Sequence, residues 1–276
     1  MRPILAALLS ASLAGLILSL PAAAEEDHVQ PARQKWSFAG PFGHYDQAQL
    51  QRGFKVYREV CSGCHGLTMV SFRNLSEPGA LGYSEAQISQ LASEYKLQDG
   101  PNDQGEMFER SGRPADRFPA PFANDNAARA AYNAVPPDLS LIAKARGYER
   151  GFPWFVLDAF TQYQEHGVDY LVALLTGYEE KPPADVTLPD GLQYNKYFPG
   201  HAIAMPKPMD DDRVTYDDGA PQTLEQHAKD VSAFLMWAAE PHLDARKRIG
   251  FQVMAFLLVF AGLLYFTKKK VWAGAH

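Results

Sequence analysis

The sequence predicts a mainly α-helical protein: helices joined by long loops, then one C-terminal transmembrane helix. Three observations carry this. Ile249 to Phe266 holds no charge and one strongly polar residue, Gln252. Two segments, opening at Asp46 and Thr223, join a capping pattern to an apolar stripe of helical period. The 20 prolines and 21 glycines among 276 residues require extensive loop.

Taken in order, Arg2, an apolar stretch from Ile4 to Leu20, and Pro21-Ala22-Ala23-Ala24 before Glu25 read as a secretory signal peptide over 1–24. The competing reading is an uncleaved anchor, which Ser10, Ser12, Gly15 and Ser19 weaken. A helix is expected over Asp46 to Val60, with Asp46 and Gln49 at capping-box spacing and Leu50, Phe54, Tyr57 and Cys61 on one face. Gly53 inside it costs about 1 kcal/mol against Ala, so another backbone should pack closely there. Shorter helices are expected at Ser84 to Tyr95 and Leu139 to Arg146. A long one should run from Leu224 to Ala239, with Leu224, Val231, Phe234, Leu235 and Ala238 on its buried face and Pro241 as its stop. Asp99 to Asn126 and Glu179 to Pro221 read as long loops of the kind that wrap or bind something.

The apolar run of Ile249 to Phe266 reaches roughly 27 Å as a helix, close to a bilayer core. Basic triads flank it, Arg246-Lys247-Arg248 and Lys268-Lys269-Lys270, so charge counting does not orient it. The signal peptide does. The expected layout is a periplasmic domain over 25–245, a transmembrane anchor over 246–270 and a cytoplasmic tail over 271–276.

The formal charge of −6 hides an asymmetry. Seven of the 26 basic residues lie in the terminal segments, leaving 19 against 32 acids, a net of −13 for the exported region. An acidic surface excludes a nucleic-acid binder and suits a basic protein partner. The two cysteines form no disulfide-dense scaffold and no four-cysteine zinc site.

They occur together, in Cys61-Ser62-Gly63-Cys64-His65. C-x-x-C-H is the attachment pattern of c-type haem: two thiols on one helical turn reach the two vinyl groups of a porphyrin edge, and the histidine supplies an imidazole to the iron. A thioredoxin-type pair would need a βαβ setting, and a plain disulfide would leave His65 without a role. A low-spin electron carrier takes a second axial ligand. Met205, in the proline-bounded stretch Phe198 to Pro206, is a candidate; Met209, Met107 and His201 are rivals. Arg146 could neutralise a haem propionate or simply complete a helix C-terminus. No Ser/His/Asp set or phosphate loop is evident, so catalysis by the chain alone has no visible machinery.

From about Arg52 to the C-terminal helix the sequence resembles the cytochrome c1 family, the haem subunit of cytochrome bc1 complexes, in its bacterial form. The likeness rests on Arg52-Gly53-Phe54 through His65, Gln98-Asp99-Gly100-Pro101-Asn102 with Gly105-Glu106-Met107-Phe108, and Pro136-Pro137-Asp138-Leu139-Ser140. It continues in Leu174-Leu175-Thr176-Gly177-Tyr178, Tyr197-Phe198-Pro199-Gly200 and Trp237-Ala238-Ala239-Glu240-Pro241. The resemblance implies a cytochrome c-like haem domain with one covalent haem c, Cys61 and Cys64 as attachments, His65 and Met205 as axial ligands, and Arg146 near a propionate. It implies cytochrome b and the Rieske iron–sulfur protein as partners, a soluble basic c-type cytochrome as acceptor, and a place in quinol–cytochrome c reductase at the bacterial inner membrane. Gly147 to Leu171 departs from the shorter mitochondrial form. Some bacterial relatives carry an extra cysteine pair; this chain does not, so its distal loop is expected to be held by packing. Competing readings are a free-standing membrane-tethered cytochrome c shuttle and a haem-based gas or redox sensor.

Overall fold

A computed structural model describes residues 29–148, 150–161, 163–184 and 186–274. The expected signal peptide and residues 275–276 of the expected tail lie outside the described residues. Helix α1 (Gln47–Val56) starts where the Asp46 carboxylate accepts the Gln49 amide at 2.8 Å. It buries Leu50, Gly53, Phe54 and Val56 against α7 (Leu224–Ala239). At the crossing, a Cβ on Gly53 would lie 2.1 Å from the Asp230 carbonyl oxygen, so only glycine lets the two backbones meet. Past Val56 the chain widens into a π-helical turn, Tyr57–Cys61, closed by the Ser62 amide on the Tyr57 carbonyl at 2.8 Å.

Thr223 caps α7 as its spacing predicts, accepting the Gln226 amide at 3.3 Å. Val231, Phe234, Leu235 and Ala238 are buried as expected, whereas Leu224 is half-buried. His227, Asp230 and Ser232 are buried too, because α1, α4 (Ile142–Ala145) and α6 (His166–Thr176) all pack on this helix. Asp230 is fully buried and takes Arg52 at 2.8 Å, Gln226 at 2.8 Å and Gln49 at 3.2 Å. Such pairing is what lets a carboxylate sit in a core. Rings of Phe54, Tyr57, Phe72, Phe118 and Phe234 pack next to it, the Phe72 and Phe118 centroids 4.3 Å apart. Burying Phe234 alone contributes about 2–3 kcal/mol.

Helix α2 (Glu85–Ser93), within the expected Ser84 to Tyr95, carries a capping box, Ser84 and Gln87 bonding reciprocally. The expected helix over Leu139 to Arg146 shrinks to the single turn α4. Leu139 and Ser140 form a turn instead, the Ile142 amide closing on the Leu139 carbonyl at 3.3 Å, and the i-to-i+4 ladder starts only with the Ala145 amide on the Leu141 carbonyl at 2.8 Å. The Leu139 amide bonds the Gly66 carbonyl and the Ser140 amide the Asp138 carboxylate, each at 2.8 Å. The expected loop of Asp99 to Asn126 contains order that its composition hid. β1 (Lys96–Asp99) pairs antiparallel with β2 (Phe108–Ser111), and α3 (Asp125–Tyr132) follows, ended by Asn133 at φ 55°. Arg110 on β2 gathers Asp99 and Asp116 and fixes the hairpin.

Gly147 to Leu171 forms α5 (Trp154–Thr161) and the start of α6. Among the described residues, Glu179 to Pro221 is irregular apart from a two-residue pair, β3 (Gln193–Tyr194) with β4 (Ala202–Ile203), and a bridge from Asn195 to Tyr178. Helix α8 (Leu243–Trp272) is the one described helix long and apolar enough to cross a membrane. Its first residue, Leu243, is buried in the domain. Glu240, between α7 and α8, takes Lys144 at 2.5 Å and also Arg246, while the Tyr45 hydroxyl donates to the Met236 and Glu240 carbonyls at 3.2 and 3.1 Å. The junction is tied on both sides.

Candidate functional site

Cys61 ends the π-helical turn, and the next turn carries Cys64 and His65, whose amides both bond the Cys61 carbonyl, at 3.1 and 2.9 Å. The two cysteines are free thiols. Cys61 packs against the core, and burial pushes its thiol up to about 12, with Cys64 adding to the rise. A raised Cys61 thiol is the opposite of the depressed one that thioredoxin-type exchange uses. The Tyr132 hydroxyl, at the end of α3, reaches Cys64.

His65 is held by a neighbour that its own motif does not encode. Its Nδ1 lies 2.8 Å from the Pro137 carbonyl. A carbonyl only accepts, so Nδ1 carries the proton and Nε2 keeps its lone pair, the tautomer a metal ligand requires. Burial lowers the imidazole's pKa against the opposing pull of Pro137 and Asp138, which favours the neutral ring. The Tyr57 hydroxyl bonds the His65 carbonyl at 3.2 Å.

Asp138 is the clamp that puts Pro137 there. Its Oδ2 accepts the Thr68 amide and hydroxyl at 2.9 and 2.8 Å, and its Oδ1 accepts the Ser140 amide. Ser140 in turn accepts the Met69 amide at 3.1 Å. Partial burial would raise the Asp138 carboxyl, but these donors hold it below the usual range. A side chain on Gly66 would sit 2.9 Å from Asp138 Oδ2, so the strip after His65 lies flat on the Pro136 to Ser140 strip.

Met205 sits on a separate stretch, half-buried just beyond β4. The Tyr178 hydroxyl donates to its carbonyl at 3.1 Å. The turn before it is organised by Asn195, fully buried. Its Nδ2 donates to the Leu174 carbonyl at 2.7 Å, and its Oδ1 accepts the Tyr197 and Phe198 amides at 3.0 and 3.2 Å. Hydrogen bonding, beyond the packing expected from sequence, therefore fastens this stretch to the end of α6. The rivals of Met205 lie in different settings. Met209 is a core residue at 2% exposure, and Met107 is exposed beside β2. The His201 ring stacks on Tyr194 and lies 3.3 Å from the Asn195 carbonyl.

Arg146 follows α4, exposed and beside Tyr170 of α6, with no carboxylate partner among the described residues. The structure thus gathers Cys61, Cys64 and His65 on one turn, hangs Met205 from α6, and leaves Arg146 open. Tyr57, Asp138, Tyr178 and Asn195 were not anticipated. Asp138 lies inside a recognisable strip, whereas a lone asparagine in a loop carries no sequence signal. Two thiols beside a neutral imidazole with a directed lone pair form a donor set that fits a covalently attached haem c.

Comparison with known proteins agrees. The chain matches the Cytochrome C1 family over residues 36–275. It is 64% identical over 256 residues to cytochrome b/c1 of Bradyrhizobium diazoefficiens, covering 92% of this chain but 37% of that longer protein. It is 56% identical over 244 residues to cytochrome c1 of Blastochloris viridis, covering 88% of this chain and 86% of that one. With cytochrome c1 of Rhodospirillum rubrum it shares 47% identity over 262 residues, 94% of each chain. A match across nearly the whole domain and its C-terminal helix means that the chain belongs to the cytochrome c1 family.

Proposed function

We propose that the chain binds one haem c through thioethers to Cys61 and Cys64, with His65 and Met205 as axial ligands. It works as the electron-transfer subunit of a quinol–cytochrome c reductase, taking electrons from a Rieske iron–sulfur protein and delivering them to a soluble c-type cytochrome. The observation that carries the reading is the His65 Nδ1 contact with Pro137, which turns Nε2 into a ligand within one turn of two thiols. The haem supplies a one-electron Fe(III)/Fe(II) couple. The protein's part is to fix both ligands, so that little rearranges when the charge changes. Asp138 holds the proximal strip, Asn195 and Tyr178 hold the distal one, and exposed Arg146 would offset a propionate.

Cytochrome b is the proposed membrane partner, with α8 spanning the inner membrane, the haem domain periplasmic and the signal peptide removed. The tied junction at Glu240 favours a fixed subunit over a tethered shuttle, which needs a flexible linker. Purification in mild detergent tests this. Stoichiometric b-type haem and an iron–sulfur protein should accompany the chain; a lone c-type spectrum would favour the shuttle.

Glu179, Glu180 and Asp210 to Asp212 are exposed on the segments flanking the Met205 turn. They fit a docking face for a basic cytochrome, although Asp211 also accepts the Leu224 amide at 2.7 Å and Asp210 pairs with Lys207. Glu179 and Glu180 are therefore the cleaner probes. Reduction of a basic cytochrome c should slow as salt rises, and Glu179→Gln with Glu180→Gln should flatten that dependence. A rate indifferent to salt would leave docking to an apolar rim.

A further inference from the structure

Helix α5 is built inside out for a helix facing water. Its sequence, Trp154 to Thr161, holds a single charge, Asp158, and that residue points inward. There Asp158 takes Arg150 at 2.6 Å and lies 3.4 Å from His166 Nε2. The aromatic residues point out: Phe152 and Phe160 are 82% and 83% exposed, and Trp154, Phe155 and Leu157 are exposed as well. A surface helix in water shows the reverse pattern. An exposed apolar patch of this kind marks a contact with something other than water.

Contacts lead from α5 to the start of the spanning helix. Tyr163, just after α5, bonds Asp169, which accepts Trp36 Nε1 at 2.8 Å. Trp36 stacks on Phe38, whose carbonyl, like that of Gly43, accepts Lys247 of α8. Lys247 is also close enough to Glu165 to lower that carboxyl's pKa against the burial that raises it. Phe42, itself exposed, sets its ring 6.1 Å from Phe251, already within the apolar run. Buried contacts therefore tie α5 to the head of the anchor. Cationic side chains lie beside α5, Arg33 over Tyr163 at 3.9 Å and Arg150 over Trp154 at 4.8 Å, the latter paired with Asp158; Lys247 and Arg248 stand on α8 with Arg246, which pairs with Glu240. Phenylalanine and tryptophan outward, with arginine and lysine beside them, is the composition of an interfacial helix on anionic lipid.

We propose that α5 is a membrane-surface helix that lays Phe152, Trp154, Phe155 and Phe160 into the headgroup–acyl boundary beside α8. It gives the domain a second hold on the bilayer and sets its tilt. The inference rests on α8 spanning the membrane, so the test reports on both. Benzoylphenylalanine replaces Phe155, Phe160, Met107 or Leu258 one at a time in the full chain, and native membranes are irradiated. Mass spectrometry then reads the adducts, and the haem spectrum confirms folding. Lipid adducts at 155 and 160, several-fold above those at 107 and accompanied by adducts at 258, are expected. Adducts to a neighbouring protein at 155 and 160, or none, with lipid still captured at 258, would overturn the surface helix and leave the anchor intact. Absence of lipid at 258 as well would overturn both.

Discussion

On the proximal side, Cys61, Cys64 and His65 lie within five consecutive residues, and one carboxylate, Asp138, stitches their strip to the strip that orients His65. On the distal side, Met205 lies far along the chain, in a stretch with two-residue strands and a turn tied to α6 through Asn195. The proximal half is local and, once haem is attached, covalent. The proposed distal half has no covalent link and hangs on packing and on hydrogen bonds to α6, so a change there should alter the site most while leaving the cofactor in place.

The largest effect is expected from Met205→Lys. Haem should stay attached, because the thioethers are untouched, while the midpoint falls by hundreds of millivolts, on the order of the range that axial ligands control. A redox titration checks it, and an unchanged midpoint would move the ligand assignment to Met209 or His201. Asn195→Ala comes next. It strands the Leu174 carbonyl and two amides in a site closed to water, at a cost of about 2–3 kcal/mol. Denaturant unfolding should shift accordingly, with a weakened Met205 bond visible in the oxidised spectrum. Asp138→Ala should cost less, about 1–2 kcal/mol, since its cluster is more exposed and the motif holds itself together. If Asp138→Ala lowered the midpoint more than Asn195→Ala, the ranking of the two sides would be reversed.

The smallest effect serves as a reference remote from both sides. Hydrogen bonds from Arg110 hold the Asp116 carboxyl at about 2, below its ordinary 3.8. A carboxyl depressed in the folded state stabilises above its unfolded pKa, and that contribution fades as pH falls from about 4 toward 2. The pair is near the surface, so the contribution is less than about 1 kcal/mol. Asp116→Asn should flatten the acid limb of a stability profile slightly and leave the midpoint potential unmoved.

What could be read in advance follows the range of the interactions. Caps at Asp46 and Thr223 are contacts over three residues, and both form. Gly53 announced a close crossing because glycine inside a helix has few other reasons to be there. The β1–β2 hairpin and α3 were hidden in a stretch rich in glycine, proline and aspartate. Their order comes from Arg110 bridging carboxylates on both sides of the turn and from an asparagine cap, neither of which leaves an apolar period. The helix expected from Leu139 starts late, because Leu139 and Ser140 are held in a turn against Gly66 and Asp138 and the helical ladder begins only at the Leu141 carbonyl.

The sequence by itself determined the attachment motif, the capped helices around the core and the apolar run of α8, because each is written in neighbouring residues whose spacing matches a helical turn or a bilayer. Only the tertiary structure decided which nitrogen of His65 is left to bind, how the stretch carrying Met205 is fastened to α6 and which way α5 faces. Those outcomes hang on a proline carbonyl, a buried asparagine and an inward-turned aspartate. The first two are distant in sequence from the groups they control, and the third takes its direction from the partners that fold around it. A hydrogen bond between remote segments forms only when the chain has folded, so no local pattern records it.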